Sequence, residues 1–331
     1  MIKVGFVGCG RIAQVRHIPE CNEHPDVEIV GYYNRTREKA IQMAEMYGGK
    51  IFERAEDCIL NPEVEVVIIS TPNATHAPYS ILALCAGKHV ICEKPMAVTK
   101  KECEQMVDVA QKSDRILLIA YHERYTQTHK LAKRLIEEGT IGKVLAFQTI
   151  LAHGGPDKKR VADNLWFFDK KMAGFGVSAD LGVHKIDTIR YLLGDEIEEV
   201  TARIDSLDGC ELDDNAIYLV KMKNGALGTI TVSWTCYGDE INSTIILGTN
   251  GNIKIKHPYC GEVEVAMKDG TTKCYHEEEI YRVNGWTDSG IIREIVRLIN
   301  EKAENKGSVY GEDSIRTMDV LFDGLKSRSN D

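Results

Sequence analysis

The run Ile2-Lys3-Val4-Gly5-Phe6-Val7 is followed at once by Gly8-Cys9-Gly10-Arg11-Ile12-Ala13 and then by a helix-forming stretch. A strand, a G-x-G-x-x-A turn and a helix in that order leave few folds open. Gly8 permits a tight turn, Gly10 leaves room for a backbone to approach a pyrophosphate, and Ala13 keeps helix and strand close. The first turn of the helix then offers unpaired N–H groups to phosphate. Gly8, Gly10, Arg11, Ile12 and Ala13 are therefore expected to hold a dinucleotide. A bare glycine-rich turn would show the same residues, but the flanking strand and helix argue for a binding loop.

The alternation continues beyond the motif. Strands are expected over Ile2–Val7, Val27–Tyr33, Val64–Ser70, His89–Cys92 and Ile116–Ala120, with helices from Ile12, over Thr36–Tyr47, Ala77–Ala86 and Lys100–Lys112. Short Val/Ile-rich runs without polar alternation are strands buried on both faces, and the helices between them are crossovers, so the pattern is a doubly wound parallel sheet. After Ala120 the rhythm changes. A helix near Lys130–Glu138, a strand over Lys143–Ala152 and a helix over Val177–Leu193 lead into strand-like runs from Glu199 to Met267. Several of these are joined by Asn-Gly or Asp-Gly turns. At 331 residues two domains are expected. We place a Rossmann domain at 1–120 and an α+β domain with a large, mostly antiparallel open sheet at 121–331, closed by helices near Ile291–Lys302 and Asp313–Lys326.

The net charge of −9 gives no general attraction to phosphate backbones or anionic lipid, so nucleic acid and membrane are not expected partners. No apolar run reaches the ~18 residues of a span, and the first residues lack a signal-peptide pattern. The ten cysteines form no CxxC pair, and thiols in a reducing cytoplasm are expected rather than zinc ligands or disulfides. The second strand ends Tyr33-Asn34-Arg35-Thr36-Arg37, with no carboxylate to hold the ribose hydroxyl of NAD. Asn34 and Arg35 are expected at that position, and the two arginines lean the reading toward NADP. Arginines that are merely solvated, or stacked on adenine, would leave NAD open.

Three further segments carry a resemblance: Thr71-Pro72-Asn73-Ala74-Thr75-His76, Gly87 to Pro95 with its Glu93-Lys94-Pro95, and Asp180-Leu181-Gly182-Val183-His184-Lys185-Ile186-Asp187. In order and spacing the chain resembles the Gfo/Idh/MocA oxidoreductases, a family that takes in glucose-fructose oxidoreductase and inositol dehydrogenases. The resemblance implies that Lys94 binds the reacting hydroxyl, that Asp180 and His184 complete the site with His184 as base, and that Thr71, Pro72, Asn73, His76 and Glu93 line the cofactor. It also implies a homodimer or homotetramer built through the C-terminal sheet. In Tyr121-His122-Glu123-Arg124 the family's frequent arginine is kept, while His122 departs from its pattern.

Oxidising a secondary alcohol sends a hydride to the nicotinamide while the hydroxyl proton leaves, so a base and a cation are needed, and His184 and Lys94 are suitable types. Lys94 is expected at the C-terminal end of a parallel strand, where open α/β sheets bind ligands. Asp180, His184, Asp187 and Tyr191 are expected on one titrating face of a helix whose other face packs, and Gly182 suggests close approach by a backbone or ligand. Arg124, His153 and Trp166 are further candidates for contact with a sugar or polyol. Trp166, Phe167 and Phe168 could stack on a sugar ring but fit better as core or loop anchors, and Lys158, Lys159, Arg160, Lys170 and Lys171 could meet a phosphorylated or nucleotide-linked substrate but fit better as solvated loop charges. No metal site is expected. The leading reading is an NAD(P)-dependent dehydrogenase acting on a sugar, sugar derivative or cyclic polyol. Its alternatives are a sensor of NAD(P) or sugar without turnover, and a glycoside-cleaving enzyme that uses tightly held NAD for transient oxidation.

Overall fold

A computed structural model describes the chain except residues 157–165, 208, 210, 277–281, 284, 302–310 and 327–331. The chain divides into two compact units, Met1–His122 with Tyr281–Ile315, and Glu123–Ile280 with Arg316–Asp331. A single division into 1–120 and 121–331 does not contain this return. The helix expected near 291–302, read from sequence as closing the second domain, lies instead in the first unit.

In the first unit the strands are β1 (Ile2–Val7), β2 (Val27–Tyr33), β3 (Lys50–Ile51), β4 (Val66–Ile69), β5 (His89–Cys92) and β6 (Leu117–Ile119). They are parallel neighbours in the order β3-β2-β1-β4-β5-β6, the arrangement of dinucleotide-binding sheets. All four residues of β4 are fully buried, as expected of a strand covered on both faces. The helix after the glycine turn is a π-turn over Ala13–His17 continuing as α1 (Ile18–Glu23). The other crossover helices are α2 (Arg37–Tyr47), α3 (Ala55–Ile59), α4 (His76–Cys85) and α5 (Lys100–Ser113). Thr99 caps α5 by accepting from the Glu102 N–H at 3.2 Å.

The second unit opens with α6 (Gln127–Glu137) and β7 (Val144–Ala152), then the short α7 (Lys170–Ala173), a π-turn over Ser178–Gly182 and α8 (Val183–Leu193). The strands β8 (Ile197–Asp205), β9 (Asn215–Met222), β10 (Leu227–Ser233), β11 (Ile241–Gly248), β12 (Gly251–Ile255), β13 (Glu262–Met267) and β14 (Thr272–His276) follow. With β7 they form one sheet in the order β14-β13-β12-β11-β7-β10-β9-β8, antiparallel throughout except where β10 runs parallel to β7. One face of this sheet is buried. The other leaves Leu145, Ile217, Leu219, Leu227, Ile241 and Leu247 exposed by 40–58%. The chain then forms the hairpin β15 (Arg282–Val283) and β16 (Trp286–Thr287), α9 (Ile291–Glu301) and α10 (Gly311–Lys326).

The helix over 177–193 departs from the expected two-faced pattern. Asp180, His184 and Asp187 are buried, and so are Lys185 and Arg190 on the side expected only to pack. Charge on every face is accommodated by ion pairs within the second unit. Arg124 donates to both oxygens of Asp187 at 2.6 and 2.5 Å, and Lys185 Nζ lies 3.0 Å from Glu123 Oε2 and 2.5 Å from Asn242 Oδ1. Thr188 and Asn242 also donate to the Glu123 carboxylate. A side chain added at Gly182 would meet the Tyr218 and Val232 side chains at 3.6–3.8 Å, which is ordinary contact, so it is not a backbone approach that this glycine provides for.

Beside this network sits His129, whose Nδ1 lies 2.8 Å from the Glu123 carbonyl oxygen while its Nε2 is buried without a hydrogen-bond partner among the described residues. A neutral ring donating from Nδ1 satisfies this environment, whereas a second proton would bury an unpaired N–H. Burial accordingly lowers its pKa to about 4. With the folded value below the unfolded one of about 6.5, the unfolded chain binds more protons between these limits, and stability is lost as pH falls through that window. Between pH 7 and pH 5 the wild type is expected to lose about 2 kcal/mol more stability in urea unfolding than His129→Gln loses. An identical pH dependence in both proteins would contradict this assignment.

Candidate active site

The cradle in the first unit is built where β1 and β4 lie side by side and the strand order reverses. Gly8 has φ +103°, and a Cβ there would stand 2.4 Å from the Ser70 carbonyl oxygen, so only glycine lets the loop after β1 pass the end of β4. A Cβ on Gly10, by contrast, would meet nothing nearer than that oxygen at 3.8 Å. It would project into open space at the start of the helix, the space a pyrophosphate needs. Ala13 is fully buried, Ile12 is half-buried and Arg11 is exposed. This loop fits a dinucleotide.

Asn34 organises the loop from the end of β2. Its Oδ1 accepts from the Cys9 N–H at 2.9 Å, and its Nδ2 donates to the Thr36 carbonyl at 2.8 Å. Of the two arginines beyond it, Arg37 is held by Glu53 at 2.6 Å, while Arg35 is exposed. The loop after β4 carries Thr71, Pro72 and Asn73, with Asn73 buried. His76 is buried with Nε2 2.9 Å from the Thr71 carbonyl and Nδ1 2.8 Å from the Pro95 carbonyl, so one imidazole ties the loop after β4 to the one after β5. Burial pushes its pKa below the ordinary imidazole value.

Lys94 follows the end of β5, half-buried, with its backbone N–H 3.1 Å from Glu93 Oε2. The other oxygen of Glu93 lies 2.7 Å from Nε2 of His17, and both side chains are buried. His17, absent from the sequence-based set, thus links the helix behind the glycine loop to the residue before Lys94. Its only local signal is a polar residue inside a helix that is otherwise buried there.

In the second unit, Asp180 and His184 lie in the helix over 177–193, whose start is fixed by Asp213. The carboxylate of Asp213 accepts from the N–H groups of Gly176 at 2.7 Å and Ser178 at 2.8 Å, and its carbonyl accepts from Val177 at 2.8 Å. A Cβ on Gly176 would stand 1.9 Å from that carbonyl oxygen, so this glycine, rather than Gly182, permits close backbone approach. The adjoining Asp214 carbonyl accepts from the Trp234 N–H at 2.8 Å, and the Trp234 indole donates to Asp180 Oδ2 at 3.2 Å. Neither Asp213 nor Trp234 has a motif to reveal it, because each acts across a long separation in sequence.

Among the remaining candidates, Arg124 is buried with its guanidinium on Asp187 and near the Tyr191 ring. His153 is buried, and its Nδ1 accepts from the Gly155 N–H at 3.1 Å, which leaves the ring proton on Nε2 when the ring is neutral. Trp166 and Phe167 stack at 4.0 Å between centroids, and Phe168 packs edge-on to Trp234 at 5.9 Å. Lys158, Lys159 and Arg160 lie outside the described residues. Nine cysteines are free thiols, and no cluster of metal-ligating side chains occurs among the described residues.

A doubly wound sheet with a glycine cradle at its switch point defines a dinucleotide-binding fold, and comparison with known proteins gives the family. Residues 2–121 match the model described as "Oxidoreductase family, NAD-binding Rossmann fold", and residues 129–254 match the GFO/IDH/MocA C-terminal domain. The chain belongs to the Gfo/Idh/MocA family. It is 33% identical over 233 residues to levoglucosan dehydrogenase of Pseudarthrobacter phenanthrenivorans, a match covering 62% of this chain and 59% of that protein. It is 26% identical to myo-inositol 2-dehydrogenase of Thermotoga maritima over 98% of this chain and 96% of that one. A solved levoglucosan dehydrogenase in complex with NADH and levoglucosan superposes with a TM-score of 0.87 at 25% identity, covering 99% of this chain and 97% of that one.

Proposed function

We propose that this oxidoreductase transfers a hydride between a secondary hydroxyl of a sugar, sugar derivative or cyclic polyol and a bound nicotinamide dinucleotide. The observation that carries the reading is the position of Lys94. It stands at the end of β5, in the same sheet as the glycine cradle, and His76 joins the loop after β4 to the residue that follows it. Relatives named for levoglucosan and myo-inositol support the substrate class.

When bound, the nicotinamide supplies the hydride acceptor or donor. In the oxidative direction Lys94 stabilises the negative charge that grows on the substrate oxygen, and His184 takes the hydroxyl proton. Asp180, with one oxygen occupied by the Trp234 indole, orients that imidazole. Arg124, held on Asp187, contributes by fixing the helix that carries His184. His153 and Trp166 are assigned to the substrate side, and Thr71, Pro72, Asn73, His76 and Glu93 to the cofactor side. At the adenosine end Arg35 decides between cofactors, because a 2′-phosphate would pair with its exposed guanidinium while Arg37 is engaged by Glu53.

The exposed apolar row on the second unit's sheet supports a homo-oligomer built through that face. No helix among the described residues is long and apolar enough to cross a membrane. Free thiols throughout the described residues support a cytoplasmic location.

A panel of sugars and polyols followed by nicotinamide absorbance with NAD and NADP is expected to find a substrate. Lys94→Ala and His184→Ala should then lower kcat by about 10²-fold or more with dinucleotide affinity retained. Arg35→Ala should weaken NADP and spare NAD. Turnover at wild-type rates in the Lys94 and His184 variants would contradict the assignment, and a monomer by light scattering would contradict the oligomer.

A further inference from the structure

The helix that begins at the glycine cradle is gripped at two places by the segment that returns from the C-terminal part of the chain. At the far end Glu20, buried, accepts from the Ser289 N–H at 2.8 Å and from the Ser289 hydroxyl at 2.5 Å. That hydroxyl also accepts from the Ile291 N–H at 3.1 Å, at the start of α9. At the near end the guanidinium carbon of Arg11 lies over the Trp286 ring, 5.9 Å from its centroid. Trp286 belongs to the hairpin formed by β15 and β16, is 43% exposed, and so presents an apolar surface to solvent beside the phosphate end of the cradle.

An exposed tryptophan has a cost in water, and an exposed arginine on a long stem has many rotamers. Placing one over the other restrains the guanidinium while leaving its N–H groups able to reach an anion. Arg11 directly follows Gly10, the residue whose missing side chain leaves space for a pyrophosphate. The Glu20–Ser289 contact fixes the hairpin to the same helix, so ring and guanidinium are carried on one support.

We propose that Trp286 is a positioning residue of the dinucleotide site, holding Arg11 so that its guanidinium meets the pyrophosphate. The proposal rests on the reading of Gly8 to Ala13 as the cradle and adds to it a residue some 270 positions away in sequence, contributed by the returning segment.

The test is calorimetry of NADH, NADPH, ADP-ribose and adenosine binding to the wild type, Arg11→Ala, Trp286→Ala, Trp286→Phe and the Arg11→Ala/Trp286→Ala double variant, with circular dichroism to establish folding. Trp286→Ala is expected to weaken the better-bound dinucleotide and ADP-ribose by about two- to fivefold, the scale of an exposed cation–aromatic contact. Trp286→Phe, which keeps a ring, should recover most of that loss. In the Arg11→Ala background Trp286→Ala should add no further loss. Adenosine, which carries neither phosphate of the pyrophosphate, should bind all five proteins alike. An unchanged affinity in Trp286→Ala would overturn the proposal, as would an equal loss in both backgrounds or a loss that extends equally to adenosine. A wild-type protein that binds neither NADH nor NADPH would remove the cradle reading itself.

Discussion

The contact on which the first unit depends is the passage of the loop after β1 across the end of β4. Parallel strands of a twisted sheet diverge little over four or five residues, so the loops leaving adjacent strands compete for the same space. Here the conflict is resolved by removing a side chain. Gly8 adopts a positive φ with its Cα side toward the Ser70 carbonyl, where any Cβ would overlap backbone that cannot move without breaking the β1–β4 ladder. Once that crossing is fixed, the helix start, the vacancy at Gly10 and the anchoring of Cys9 by Asn34 follow as consequences.

The second unit solves a different problem, how to hold polar side chains in a helix that is buried all round. Buried ions are tolerated when their hydrogen-bonding groups are matched, and each of the charges near this helix is matched by a partner from elsewhere in the unit. Glu123 is met by Lys185, Thr188 and Asn242, while Asp187 is met by Nε and Nη2 of Arg124. The helix start is satisfied by Asp213 with three acceptor contacts. Such a helix has little freedom to rotate or slide, because each pair specifies one register. Asp180 and His184 inherit that rigidity.

The parallel sheet was legible because its strands are buried on both faces and its turn glycines are local. The expected bounds of β1, β2 and β5 coincide with the observed strands. Strands β3 and β14 were not legible, the first because two residues carry no period and the second because Thr272–His276 is largely exposed and has no hydrophobic run. The helix over 177–193 was found, but its periodicity was read as a packed face opposite a titrating one. Charged residues that are buried through ion pairs look solvated in a sequence, and only the partner chain segments reveal otherwise. Cofactor candidates lay in contiguous motifs and could be named, whereas His17, Asp213 and Trp234 act over separations of 76, 37 and 54 residues and left no local pattern. The return of 281–315 to the first unit is a property of tertiary packing that no composition shift announces.

The central claim is that a hydride moves directly between a substrate carbon and the nicotinamide held by this chain. It is tested most directly by incubating the enzyme with a polyol substrate deuterated at its ring carbons and the oxidised dinucleotide, then weighing the reduced cofactor by mass spectrometry. The account predicts one deuterium at the nicotinamide ring in each molecule reduced. Reduced cofactor that carries none, with its new hydrogen drawn from solvent, would contradict it.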